Sequence, residues 1–100
     1  MDVTQIIENF KESWLAFNEQ LKPGVKVEDI NRGDCGLAAI AVAIVANEFG
    51  QNVDIIMNDA HCWVRQGTVD MDTLYPSGYP GPVEETWKTN NSLASFQLVS

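Results

Sequence analysis

Two side chains in this sequence have the types needed for nucleophilic catalysis. Cys35 lies in the segment N-R-G-D-C-G of residues 31–36, directly before an apolar stretch over residues 37–46, and His61 is the only histidine. The pattern predicts that Cys35 stands at the start of a buried helix, where unpaired backbone N–H groups and the helix dipole favour a thiolate. A thiolate is the reactive form of cysteine, and an imidazole can take the thiol proton. Cys35 and His61 are therefore candidates for a nucleophile and its base.

Glycines surround this candidate nucleophile. Gly33 and Gly36 flank the Asp34-Cys35 pair. Because glycine has no side chain, the backbone can turn tightly here and another molecule can approach the sulfur closely. Asp34 is therefore a candidate for contact with a substrate.

The sequence after His61 predicts a β-hairpin. If residues 66 and 67 form a two-residue turn, His61 lies opposite Asp72 on the paired strand. In the same register Trp63 lies opposite Asp70, so all four side chains share one face. Either aspartate is a candidate to orient the imidazole, with Asp72 slightly favoured by its position. Trp63 is a candidate to shield the imidazole or to contact a substrate. The other face carries an apolar set expected in the core: Cys62, Val64, Val69 and Met71.

Hydrophobic periodicity and turn residues predict the remaining elements. Apolar spacings of three and four indicate an amphipathic helix over residues 3–21, and an alanine-rich helix over residues 36–49 is expected to be covered on all sides. Strands are predicted at residues 52–57, 61–65, 68–74 and 95–99, with a short helix at 83–88 and a loop at 75–82 that covers the site or only connects. We therefore expect one α+β domain over residues 1–100, with an N-terminal helix and a central nucleophile-bearing helix packed on a small antiparallel sheet of three or more strands.

Composition and charge narrow the classes of partner. Fourteen acidic and six basic residues give a formal charge of −8, which disfavours nucleic acid and anionic membranes and attracts basic protein surfaces. The longest apolar run is too short to span a membrane, and no basic-then-apolar leader follows Met1. Two cysteines without such a leader indicate free thiols in a reducing compartment, for which the cytoplasm is the default. We expect no cofactor and no metal site, because four suitably spaced ligands are lacking.

The segment G-D-C-G-L-A-A of residues 33–39 resembles the nucleophile segment of the papain-like and transglutaminase-like cysteine peptidase superfamily, in which Cys, His and Asp or Asn follow in that order. The segment H-C-W-V of residues 61–64, the Gly67 turn and residues 69–73 are similar to its histidine and acid strands. Asp72 matches the acid of transglutaminase-like members, and Asp70 matches relatives whose acid lies nearer the turn. The resemblance covers residues 31–73, and it implies a papain-like core with a Cys-His-Asp triad.

The chain departs from the family pattern in two respects. His61 follows Cys35 after a short interval, so the second lobe with which classical peptidases hold peptides is missing. No Gln stands at the spacing before Cys35 that papain uses for its oxyanion hole, which leaves Asn31 or the Cys35 backbone N–H as the candidate donor. Contacts with a substrate must then come from other residues or from a second subunit, so formation of an oligomer is an open alternative.

Two functions from different classes fit these observations. The resemblance implies a thiol-dependent hydrolase or acyltransferase, of peptidase, deamidase or transglutaminase type, acting on an amide, isopeptide or thioester bond of a protein or peptide. The alternative is a noncatalytic acidic module that keeps the fold and blocks a basic partner.

Overall fold

The structure, a computed structural model, describes residues 1–58 and 60–81, together with the backbone of residues 96 and 97. Its elements are α1 (Val3–Leu21), a 3₁₀ helix (Val27–Arg32), α2 (Cys35–Glu48), β1 (Asp54–Met57), β2 (Cys62–Gln66), β3 (Val69–Met71) and β4 (Phe96–Gln97). The class is α+β, as predicted, with two helices on a small antiparallel sheet. The two-residue strand β4 falls within the predicted strand at 95–99, and the helix predicted at 83–88 lies outside the described residues.

Helix α1 begins as its sequence predicts, but only part of its predicted apolar face is buried, since Phe17 and Leu21 are 64% and 70% exposed. The Asp2 carboxylate accepts a hydrogen bond from the Gln5 backbone N–H at 2.8 Å, which satisfies one of the unpaired donors of the first turn. Ile6, Ile7 and Trp14 lie on the buried face of the helix. This face packs against α2, so the two helices form one layer.

Helix α2 is covered on one side only, so the expectation of all-round burial is wrong. Its inner face packs on α1 and the sheet through Ala38, Ala39, Val42, Ala43 and Ala46. Leu37, Ile40 and Ile44 point the other way and are 58%, 44% and 52% exposed. The small alanine side chains let both neighbours approach one face closely. Within the described part of the chain, no element buries the opposite face.

The sheet order is β3-β2-β1-β4, with antiparallel pairing throughout. Gln66 pairs with Val69, so the turn consists of Gly67 and Thr68 and not of residues 66 and 67 as predicted. Gly67 has a φ of 63°, which glycine adopts freely, and it takes the first turn position as in type II′ turns. Moving the turn by one position shifts every partner by two residues. Since side chains alternate between faces, all of them keep the predicted face.

The two faces of the sheet carry different groups of side chains. Toward the helices lie the buried residues Ile55, Cys62, Val64 and Met71, and on the other face lie Ile56 and Trp63. Val69 was predicted in the core but is 44% exposed, because it stands beside the turn at the edge of the sheet. In the described part of the chain, no helix has the length and apolar character needed to cross a membrane.

Gly67→Ala should lower the free energy of unfolding by about 1–2 kcal/mol, because alanine does not adopt this positive φ without strain. Gly36→Ala is the matched control, since an added Cβ meets no atom within 4 Å at either position and residue 36 lies in a helix. That control should raise stability by up to about 1 kcal/mol. Urea denaturation monitored by circular dichroism measures both changes, and equal effects at the two positions would contradict the observed turn.

Candidate active site

His61 is fixed by a tight turn between β1 and β2. The side-chain oxygen of Asn58 accepts hydrogen bonds from the backbone N–H groups of Ala60 and His61, each at 2.8 Å. The Asn58 backbone N–H in turn donates to the His61 carbonyl at 3.0 Å. Asparagine commonly forms such bonds to the backbone that follows it. The turn therefore fixes the backbone position of His61, and with it the position of the imidazole, directly before β2.

Cys35 is the first residue of α2, as predicted. Asp34, the preceding residue, does not cap the helix with its side chain; its Oδ2 accepts the Trp14 indole N–H at 2.9 Å. This bond ties α1 to the start of α2 and so holds Cys35 in place. The backbone N–H groups of Gly36 and Cys62 lie close enough to the Cys35 sulfur to help lower the pKa of the thiol. Contact between Asp34 and a substrate stays a prediction.

Cys35, His61 and Asp72 lie together in the structure, and His61 interacts with both of the others. The Nε2 atom of His61 lies 2.7 Å from Oδ2 of Asp72. The imidazole also interacts with the Cys35 thiol, and this interaction shifts the pKa of both groups. Since Nε2 is bonded to Asp72, Nδ1 is the ring nitrogen that would exchange a proton with the thiol. His61 and Asp72 are only 3% and 8% exposed, so water competes little for these bonds.

The structure distinguishes the two candidate aspartates. Asp70 accepts the Trp63 indole N–H at 2.9 Å and the Arg65 Nε at 2.7 Å, with a second contact to Arg65 Nη2 at 3.3 Å. Its carboxylate is thus held by an ion pair on β2, whereas Asp72 bonds the imidazole. In the observed register Asp72 reaches His61 as a diagonal neighbour and not as the predicted direct partner. Asp72 is the aspartate bonded to His61, and Asp70 is not.

Trp63 supports the imidazole from one side. Its ring stacks with that of His61 at a centroid separation of 5.7 Å and an interplanar angle of 18°. The side chain is only 1% exposed, which leaves almost no surface for a substrate to contact from outside. Of the two roles predicted for Trp63, its burial therefore favours shielding of the imidazole.

The Asp72 carboxylate has further partners that the sequence did not reveal. Its Oδ1 accepts the backbone N–H groups of Leu74 at 2.9 Å and Tyr75 at 3.1 Å. Its Oδ2, the atom bonded to His61, also accepts the Tyr79 hydroxyl. The only sequence signal for Tyr79 was a tyrosine in a turn-rich loop shortly after the predicted acid.

These contacts shift the protonation of all three groups. Interaction with His61 lowers the pKa of the Cys35 thiol, outweighing burial, which acts in the opposite direction. Burial tends to lower the pKa of His61, but the bond to Asp72 and the interaction with Cys35 outweigh it and the net shift is upward. Burial tends to raise the pKa of Asp72, but the bonds from His61 and Tyr79 hold it below its usual value. The arrangement favours a thiolate and an imidazolium beside a carboxylate.

A narrow cavity lies beside Cys35, between the helices and the sheet. Its volume is about 10 Å³, room for about one water molecule. Two polar atoms of its lining residues, Asn31 Nδ2 and Thr73 Oγ1, are buried and have no hydrogen-bond partner among the described residues. An unpaired amide donor beside a nucleophile suits an oxyanion, so Asn31 retains its predicted role as a candidate donor.

No protein-family model, curated protein or solved structure matches this chain. Over residues 1–58 and 60–81, no group of three or more His, Cys, Asp or Glu side chains is placed to hold a metal ion. The side chains of the site offer a thiol nucleophile, an imidazole that can move protons and a carboxylate that orients it.

The two free thiols should differ strongly in reactivity. Burial, together with the charge on Cys35, raises the pKa of Cys62 to about 11, whereas the pKa of Cys35 is lowered. Iodoacetamide near neutral pH should therefore modify Cys35 first, as followed by intact mass and peptide mapping. His61→Gln should move the pH midpoint of Cys35 alkylation upward, because the interaction with the imidazole that lowers the pKa of the thiol is lost. Equal rates at the two cysteines, or an unchanged midpoint in the variant, would contradict the geometry.

Asp72→Asn and Asp70→Asn form a matched pair. Loss of the Asp72 charge lowers the pKa of His61 and so raises that of Cys35, because a neutral imidazole no longer stabilises the thiolate. Alkylation of Cys35 at mildly acidic pH should slow about tenfold, the effect of one pKa unit. Asp70→Asn should change the rate much less, since Asp70 is bonded to Arg65 and Trp63. A larger effect at Asp70 in folded protein would reverse the assignment.

Proposed function

We propose that this chain is a thiol-dependent hydrolase or acyltransferase that acts on an amide, isopeptide or thioester bond of a protein or peptide. The observation that carries the proposal is the buried hydrogen bond between His61 and Asp72 beside Cys35, whose thiol interacts with the imidazole. We further propose that the domain is a minimal relative of the papain-like and transglutaminase-like superfamily. The order of nucleophile, base and acid along the chain supports this relationship.

In the first half of the reaction, the Cys35 thiolate attacks the carbonyl carbon of the substrate. The carbonyl π electrons move to the oxygen, where the Asn31 amide N–H would stabilise the developing charge. When the tetrahedral intermediate collapses, the His61 imidazolium gives its proton to the leaving nitrogen or sulfur. An amine or thiol departs, and the acyl group remains on Cys35 as a thioester.

In the second half, neutral His61 removes a proton from the incoming nucleophile, which attacks the thioester carbon. The Cys35 thiolate leaves and pairs again with the imidazolium. Water as the nucleophile gives hydrolysis, and an amine gives transamidation. Asp72 stays ionised throughout, holding the ring and stabilising its positive charge.

A noncatalytic acidic module is the second candidate function, favoured by the formal charge of −8. Such a module would bind a basic protein surface through long-range attraction. For either function we propose a reducing compartment, with the cytoplasm as the default, because Cys35 and Cys62 are free thiols.

p-Nitrophenyl acetate tests the proposed chemistry with a small acyl donor. The protein should release a stoichiometric burst of p-nitrophenolate and carry an acetyl group on Cys35, and Cys35→Ser should abolish both. His61→Gln should slow loss of the acetyl group by about 10²- to 10⁴-fold, because water then lacks its base. Asn31→Ala should slow acylation by about 10²- to 10³-fold without moving the pH midpoint of Cys35 alkylation.

Stopped-flow absorbance and intact mass spectrometry give both rates. Acylation that is slow and indifferent to His61→Gln would reject the enzyme and favour the acidic binding module. A shifted alkylation midpoint in Asn31→Ala would show that Asn31 acts on the thiol and not on the oxyanion.

A further inference from the structure

We propose that Tyr79 is a positioning residue of this site, which holds the Asp72 carboxylate in the orientation that bonds His61. Residues 75–81, which we name the strap, bring Tyr79 back over the end of the hairpin. This inference rests on the proposed function, because orientation of Asp72 matters only if His61 and Cys35 react.

The contacts of the carboxylate define the role of Tyr79. Backbone donors within the adjacent turn fix Oδ1 of Asp72, at 2.9 Å and 3.1 Å. The other oxygen, Oδ2, accepts both the His61 Nε2 bond and the Tyr79 hydroxyl. A carboxylate has about four lone-pair sites, so these four donors leave little freedom to rotate. Tyr79 thus acts on the same oxygen that orients the imidazole.

The strap itself is held by several independent contacts. The Tyr79 backbone N–H donates to the Asp70 carbonyl at 2.9 Å, which adds the strap to the edge of β3. Its ring packs against the Tyr75 ring at a centroid distance of 4.3 Å and against the cluster of Ile56 and Trp63. Gly78 makes the close approach possible, since an added Cβ would lie 2.9 Å from a side-chain carbon of Val69. The hydroxyl is therefore presented by a well-packed segment.

A phenol suits this position because it donates a hydrogen bond without bringing a charge. The ionisable groups near Asp72 are His61, bonded to it directly, Cys35, which acts through His61, and Asp70, which is neutralised by Arg65. Without the hydroxyl, Asp72 loses a stabilising donor and protonates at a higher pH. The thiolate and imidazolium then lose their supporting charge earlier as the pH falls.

The test compares Tyr79→Phe with Tyr75→Phe, each of which removes one hydroxyl and keeps its ring. Iodoacetamide alkylation of Cys35 is followed across the acidic limb of the pH profile. We expect Tyr79→Phe to shift that limb to higher pH. At the pH where Cys35 of the wild-type protein is alkylated at half its maximal rate, alkylation of the variant should be up to tenfold slower. Tyr75→Phe should stay within about twofold, since its hydroxyl is not bonded to Asp72. An unshifted limb in Tyr79→Phe, or equal shifts in both variants, overturns the proposal.

His61→Gln, measured in parallel, separates the two possible failures. If His61→Gln moves the profile and Tyr79→Phe does not, the positioning role fails and the proposed function stands. If His61→Gln has no effect either, the thiol is not activated and both fail. Urea denaturation of each variant shows whether a shift occurs in folded protein.

Discussion

The hydrogen bond between His61 Nε2 and Asp72 Oδ2 is the interaction on which the rest of the site depends. It joins the residue before β2 to the residue after β3, so it can form only when the hairpin is closed with both residues on the same face. Both groups are buried, and a buried charge requires compensating bonds. The turn at Asn58 supplies the geometry for one partner, and the backbone donors after Asp72 supply it for the other.

Strand alternation explains why the site could be predicted although the turn was misplaced. A hairpin whose turn moves by one position shifts its pairs by two residues, and a shift of two leaves every side chain on its face. His61 and Asp72 therefore stayed together, as diagonal instead of direct neighbours. The start of α2 at Cys35 could also be predicted from the sequence, because local turn residues and an apolar run mark a helix start without tertiary information.

Features that depend on contacts between distant segments of the chain have no comparable signal in the sequence. Apolar residues all around α2 predicted full burial, but Leu37 and Ile40 are exposed. The apolar pattern of a helix does not reveal how many other elements pack against it. The bond between Asp34 and Trp14 joins two separate helices, so neither residue reveals it locally. Tyr79 reaches Asp72 through an irregular segment, where no period relates sequence position to direction in space.

The stability of the fold and the proposed chemistry depend on the same two charged groups, so both are favoured over the same range of pH. Asp72 has a folded-state pKa below its unfolded value, so its contribution to stability is present above the unfolded value and is lost as the pH falls through the folded value. His61 has a raised folded-state pKa, so its contribution is present below the unfolded value and is lost as the pH rises through the folded one. Between these limits the carboxylate and the imidazolium are both charged, which is also the state that supports the Cys35 thiolate. The ion pair between His61 and Asp72 therefore both supports this thiolate and helps to close the hairpin.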